Sequence, residues 1–153
     1  MDGGGIIVMK NITSTPIELF YALHECVKRY DADGQAEIFT ENGIWEFPFA
    51  TGNIPQKIEG RENIRLFGRK GMDRSKKAGR RISNYNSIII HQTLDSNTII
   101  VEFELEGEIV ADHSKYKIPY IQLVKVENGK IVLLRDYFPV EILNNVIENK
   151  AAG

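Results

Sequence analysis

The sequence has one cysteine, Cys26, among 153 residues, so no disulfide can form within the chain, and a reducing compartment suits it. It has no apolar run near the roughly 18 residues that a membrane-spanning helix needs. Its opening, Met1-Asp2-Gly3-Gly4-Gly5-Ile6-Ile7-Val8, lacks the basic start and long apolar core of a secretory signal. A cytoplasmic protein with no membrane partner is expected. Charge of one sign is not in excess: the net charge of −2 argues against general affinity for nucleic acid. Glycine-rich phosphate loops and nucleophile elbows are absent, and His91 and His113 show no metal-ligand spacing with each other or with Cys26. No metal and no other cofactor are expected.

What is present suits one domain: 42% hydrophobic and 26% charged residues in a chain long enough to bury a sizeable core. Residues 1–10 read as a loose tail and 11–150 as a single domain. Thr15, Pro16 and Glu18 form a capping-box start for a helix to about Tyr30, with Ile17, Phe20, Tyr21, His24 and Val27 at helical spacing. A short helix is expected from Asp33, as its cap, to Phe39. The run Ile44–Phe49 reads as an edge strand because of Pro48, with Trp45, Phe47 and Phe49 on one face. Arg61 to Phe67 reads as a short helix.

Arg69, Lys70, Arg74, Lys76, Lys77, Arg80 and Arg81, opposed only by Asp73, concentrate +6 within thirteen positions. With Gly71 and Gly79 in the run, a solvated loop or frayed helix end is expected, with attraction of an anionic ligand, a nucleic acid or an acidic partner, or a lid over a pocket mouth, as the functional alternatives. Four strands follow, near Ile82–Thr93, Thr98–Glu106, Tyr116–Val126 and Lys130–Phe138. Asn128-Gly129 marks a hairpin between the last two, and a closing helix starts near Pro139. In the second of these strands Glu102, Glu104 and Glu106 alternate with apolar residues and read as a solvated face.

Helices ahead of a sheet imply an α+β fold, a curved antiparallel sheet wrapped around the long N-terminal helix with a cone-shaped pocket inside. Asp136 stands out. Alternation places it on a strand face with Val132, Leu134 and Phe138. A carboxylate there must be hydrogen-bonded, paired or protonated. It is either a prepared acid–base group or half of a structural ion pair. His24, in the apolar stripe of the first helix, is either a proton-transfer group or a core histidine. Trp45, Phe47 and Phe49 suit a flat apolar ligand, and Tyr21, Tyr85, Tyr120, Gln122 and Phe138 are further candidate lining residues.

The chain resembles a known family at Ala36-Glu37-Ile38-Phe39 leading to Gly43-Ile44-Trp45-Glu46-Phe47-Pro48-Phe49, at Glu59-Gly60-Arg61-Glu62-Asn63-Ile64, at Val101-Glu102-Phe103-Glu104, and at Asn128-Gly129-Lys130-Ile131 running into Arg135-Asp136-Tyr137-Phe138. These look like the nuclear transport factor 2-like (cystatin-like) fold, in its SnoaL-like and ketosteroid-isomerase-like branch, and are also similar to the phenazine-biosynthesis A/B proteins. The resemblance implies a small organic ligand and a homodimer through the outer sheet face. It places Phe47 where ketosteroid isomerases carry their base, His24 near their oxyanion tyrosine, and Gln122 near their second oxyanion donor. Asp136 matches the catalytic glutamate of the phenazine proteins, whose pocket histidine falls near Asn84 or Tyr85. The implied function is cofactor-independent acid–base chemistry of isomerase, cyclase or dehydratase type on an apolar carbonyl-containing or aromatic metabolite. The alternative is a carrier with the same pocket and no turnover.

Overall fold

A computed structural model describes residues 14–152; the expected tail, 1–10, lies outside them. Helix α1 (Pro16–Lys28) starts at the capping box: the Thr15 hydroxyl accepts from the Glu18 amide at 3.2 Å, and the Glu18 carboxylate accepts from the Thr15 amide at 2.9 Å. Thr15→Ala is therefore expected to lower stability by about 1 kcal/mol, read as a lower urea midpoint; an unchanged midpoint would contradict the capping role. The buried stripe is Leu19, Phe20, Leu23 and His24. Helix α2 (Ala32–Glu37) is capped by Asp31, whose carboxylate accepts from the Gly34 amide at 2.8 Å. Asp33, the expected cap, instead binds Arg65 and Arg69.

Strand β1 (Phe39–Glu46) begins before Ile44 and ends before Pro48. Strand β2 (Lys57–Glu59), invisible in the sequence pattern, covers its outer side. β1 is thus internal, not an edge strand.

Helix α3 (Arg61–Lys77) runs straight through the basic segment, which is neither loop nor frayed end. Three features explain this. Ile64, Gly68 and Met72 are buried at i, i+4, i+8 spacing. Arg65 ties the helix to Asp33 and Glu37 of α2 and to its own Glu62. Arg74, Lys76 and Lys77 occupy the last turn, where cations complement the helix dipole.

The remaining elements are β3 (Arg80–Gln92), β4 (Thr98–Ile109), β5 (Lys115–Glu127), β6 (Lys130–Tyr137) and α4 (Val140–Ala152). The six strands form one curved, unclosed sheet in the order β2-β1-β6-β5-β4-β3. β3 to β6 are antiparallel neighbours, whereas β1 and β6 pair in parallel, so the sheet is mixed. The β5–β6 turn sets Asn128 at φ 51° and Gly129 at φ 76°, the left-handed pair that a tight hairpin demands. Register shifts in β3, one beside Ser87 at φ 54°, bend that strand.

The inner face of the sheet packs on α1 through Phe20, Leu23, Val101, Val124 and Leu134, with Phe39 and Ile64 closing the far side. The outer face carries Glu102, Glu104 and Glu106, which pair with His91, Lys117 and Lys115. No helix among the described residues is long and apolar enough to cross a membrane.

Candidate functional site

Asp136 and Gln122 are direct cross-strand partners in β6 and β5, and both are buried on the inner face. The Gln122 amide nitrogen donates to Asp136 Oδ1 at 3.1 Å. The Trp45 indole N–H donates to Asp136 Oδ2 at 3.2 Å. On its other side the Gln122 amide oxygen lies 2.8 Å from His24 Nε2. With that oxygen as acceptor, the imidazole must carry its proton on Nε2. The result is a directed chain, His24 to Gln122 to Asp136, with Trp45 as the second donor.

No cation sits on Asp136. Arg61 is committed to the Phe39 carbonyl and Arg65 to Asp33, Glu37 and Glu62, so the structural ion-pair reading has no partner among the described residues. Burial pushes the Asp136 carboxyl up to about 6, against the opposing pull of the Gln122 and Trp45 hydrogen bonds. Burial pulls His24 down to about 4, only partly offset by its bond to Gln122. His24 is packed among the rings of Phe20, Tyr85 and Phe103, with centroids 4.6, 4.7 and 5.0 Å away, and its Nδ1 has no hydrogen-bond partner. It is thus a neutral core histidine near pH 7, reaching Asp136 only through Gln122.

A cavity of about 320 Å³ opens between α3, α4, the end of α1 and the inner sheet face, at the small end of the range for ligand pockets. Trp45, Phe67, Tyr116, Tyr120, Leu143 and Val146 supply much of its wall. Asp136, Gln122 and His24 are not in that wall. Asp136 is hydrogen-bonded to Trp45, which lines the cavity, and reaches Gln122 and, through it, His24. Tyr120 stacks on Phe103 with the rings 5° from parallel. Burial, and then the Asp136 charge, hold its phenol well above the ordinary range, so Tyr120 remains a hydrogen-bond donor at the cavity surface.

The other expected lining residues divide. Phe47 and Phe138 are buried in a ring cluster beside the cavity, 5.9 Å apart. Tyr85 donates to the His24 carbonyl at 3.3 Å. None of these three lines the cavity itself, and neither do Tyr21 and Phe49. Tyr21 is 49% exposed because it follows Phe20 by one residue and so turns off the buried stripe. Phe49 is 63% exposed and packs on Tyr137; strand alternation stops at Glu46, so it does not continue the Trp45–Phe47 face. Conversely, the pattern gave no weight to Gln35 or Tyr30, which line the cavity together with Tyr116 and the arginines at the start of β3. A signal for it existed in Gly68 and Gly71, two missing side chains three residues apart on one helix.

Residues 20–134 match the model of the SnoaL-like domain. The chain belongs to the SnoaL-like family. This SnoaL-like protein is 31% identical over 108 residues to the protein YesE of Bacillus subtilis (strain 168), covering 71% of this chain and 70% of that one. It is 29% identical over 112 residues to the PhzA/B-like protein PA3332 of Pseudomonas aeruginosa, covering 71% and 72%. Among solved structures, one named "Putative Isomerase" from Bacillus subtilis superposes with a TM-score of 0.75 at 24% identity, covering 87% of this chain and 92% of that one. The expected nuclear transport factor 2-like fold is thereby shown.

Proposed function

We propose that this SnoaL-like protein is a cofactor-independent acid–base enzyme, of isomerase, cyclase or dehydratase type, acting on an apolar carbonyl-containing or aromatic metabolite held in the cavity. The observation that carries this reading is Asp136 itself: a buried carboxyl with no cation, drawn up to about 6, bonded to an indole whose ring lines the cavity. Such a group is poised to take and return a proton near neutral pH. Tyr120 would donate to the carbonyl oxygen as negative charge develops there, while Asp136 removes the adjacent proton once the Trp45 indole turns aside. His24 acts by orienting Gln122 rather than by contact with the ligand. The test is turnover of a panel of cavity-sized ketones and enones by the unmutated protein and by Asp136→Asn.

One observation favours a carrier instead: Asp136 is not in the cavity wall and meets it through its bond to Trp45. Ligands that bind tightly but are never converted by the unmutated protein would establish the carrier.

A homodimer through the outer sheet face is part of the proposal. Ile89 and Ile121 are 51% and 43% exposed there, beside Phe49 at 63%, an apolar surface of the kind that partners cover. Ile121→Lys is expected to halve the mass measured by light scattering. A monomeric mass for the unmutated protein would contradict the dimer.

A further inference from the structure

The cavity has polar features that the acid–base reading does not use. Gln35 on α2 is 2% exposed, lines the cavity, and its amide oxygen has no hydrogen-bond partner. A buried acceptor left unpaired is costly. The space it occupies depends on a missing side chain: a Cβ on Gly68 would stand 2.3 Å from that oxygen. That oxygen is packed against the α3 backbone and presents almost no surface to the cavity, so the polar groups open to a ligand lie elsewhere in the wall.

Three arginines also line the cavity: Arg74 from the last turn of α3, and Arg80 and Arg81 from the start of β3. Arg81 is shared with Glu108, at 3.3 Å from both carboxylate oxygens. Arg74 and Arg80 form no ion pair among the described residues. The Arg80 charge is felt at the phenols of Tyr30 and Tyr116, both in the cavity wall. The backbone around it is fixed: the Tyr30 hydroxyl donates to the Arg80 carbonyl. Tyr30 itself adopts φ 59°, a conformation that bulky residues rarely take, and so places its ring against the cavity.

We propose that the ligand is an amphipathic ring acid, with its anionic group held by Arg74 and Arg80 and its apolar body against the rings of Trp45, Phe67, Tyr116 and Tyr120. This rests on the reading of the cavity as the ligand site and deepens it by naming the substrate class. Guanidinium groups recognise carboxylates through paired N–H donors.

The test uses two probes on one ring system that differ only in the carboxylate: 6-hydroxy-2-naphthoate and 2-naphthol. Calorimetry gives affinities. The indole N–H NMR signal of Trp45, the single tryptophan, reports whether a probe sits in the cavity. The hydroxy acid is expected to bind about tenfold or more tighter than 2-naphthol. Arg74→Gln with Arg80→Gln should remove its advantage over 2-naphthol, with a dispersed spectrum confirming that the double variant folds. If both probes shift the Trp45 signal with equal affinity, or if the double variant leaves the ranking unchanged, the ring-acid proposal is overturned and the cavity reading survives. If neither shifts that signal, the cavity reading falls and the proposal with it.

Discussion

Asp136→Asn is expected to lower turnover by about 100- to 10,000-fold, the usual contribution of a positioned general base, while leaving ligand affinity in the cavity nearly unchanged. Asparagine has the same shape but a single acceptor oxygen, and Asp136 now accepts from two donors, Gln122 and Trp45. The chain can reverse to accommodate it. The Gln122 amide would turn over to accept from the asparagine, and His24 would move its proton to Nδ1. The variant therefore folds.

It is also expected to be more stable than the unmutated protein at pH 7, by about 2 kcal/mol. Burial raises the carboxyl from an ordinary 3.8 to about 6, a destabilisation of about 3 kcal/mol once it ionises, and a weakened hydrogen bond returns about 1 kcal/mol of that. A group retained for structure would show the opposite sign, so denaturant midpoints at pH 7 separate the two roles. Lost activity with lost stability would mean that Asp136 is part of the scaffold.

The pH dependence of stability should carry a second signature, worth about 3 kcal/mol in each of two variants. Asp136 keeps its proton in the folded protein to higher pH than in the unfolded chain, so its contribution is lost as pH rises from about 4 through 6. His24 does the reverse. Its folded value of about 4 lies below the ordinary 6.5, so its contribution is complete above 6.5 and is lost as pH falls towards 4. Between pH 4 and 6 the two slopes oppose each other by about one proton each and cancel.

Removing either group exposes the other. Asp136→Asn should gain stability with rising pH, relative to the unmutated protein, by about 1.4 kcal/mol per unit over that window. His24→Gln should lose stability with rising pH at a similar rate. The phenols of Tyr85 and Tyr120 are raised by burial and keep their protons throughout. Asp33, Glu37, Glu62 and Glu108, all lowered by their hydrogen bonds, contribute equally to every variant. Urea unfolding at half-unit pH steps reads the slopes; parallel profiles for the three proteins would contradict the buried pair.

Features written in local periodicity were legible in the sequence. The Thr15–Glu18 capping box, the alternation of Thr98–Glu106 and the Asn128-Gly129 hairpin each fix an element by nearby residues alone, and the structure places all three as read. The misread elements depend on distant partners. The basic segment is helical because α2 supplies Asp33, Gln35 and Glu37 against α3, contacts between residues about thirty positions apart. The parallel pairing of β1 with β6 joins strands almost ninety residues apart.

The site shows the same division. Asp136 was visible as an isolated charge on an apolar strand, but its partners, Gln122 and Trp45, follow from strand register. The cavity was harder to read because its shape is set partly by what is missing. Gly68 and Gly71 remove bulk from α3, and no periodicity marks the Gln35 amide that fills part of the opening.

The central claim is that Asp136 is an acid–base group serving the cavity. It is tested most directly by titrating the Asp136 carboxyl carbon by NMR, alone and with 6-hydroxy-2-naphthoate bound. The account predicts a midpoint of about 6 that moves when the ligand displaces or covers the Trp45 indole. A midpoint below about 4, in the ordinary aspartate range, or one that ignores a ligand whose binding shifts the Trp45 signal, would contradict it.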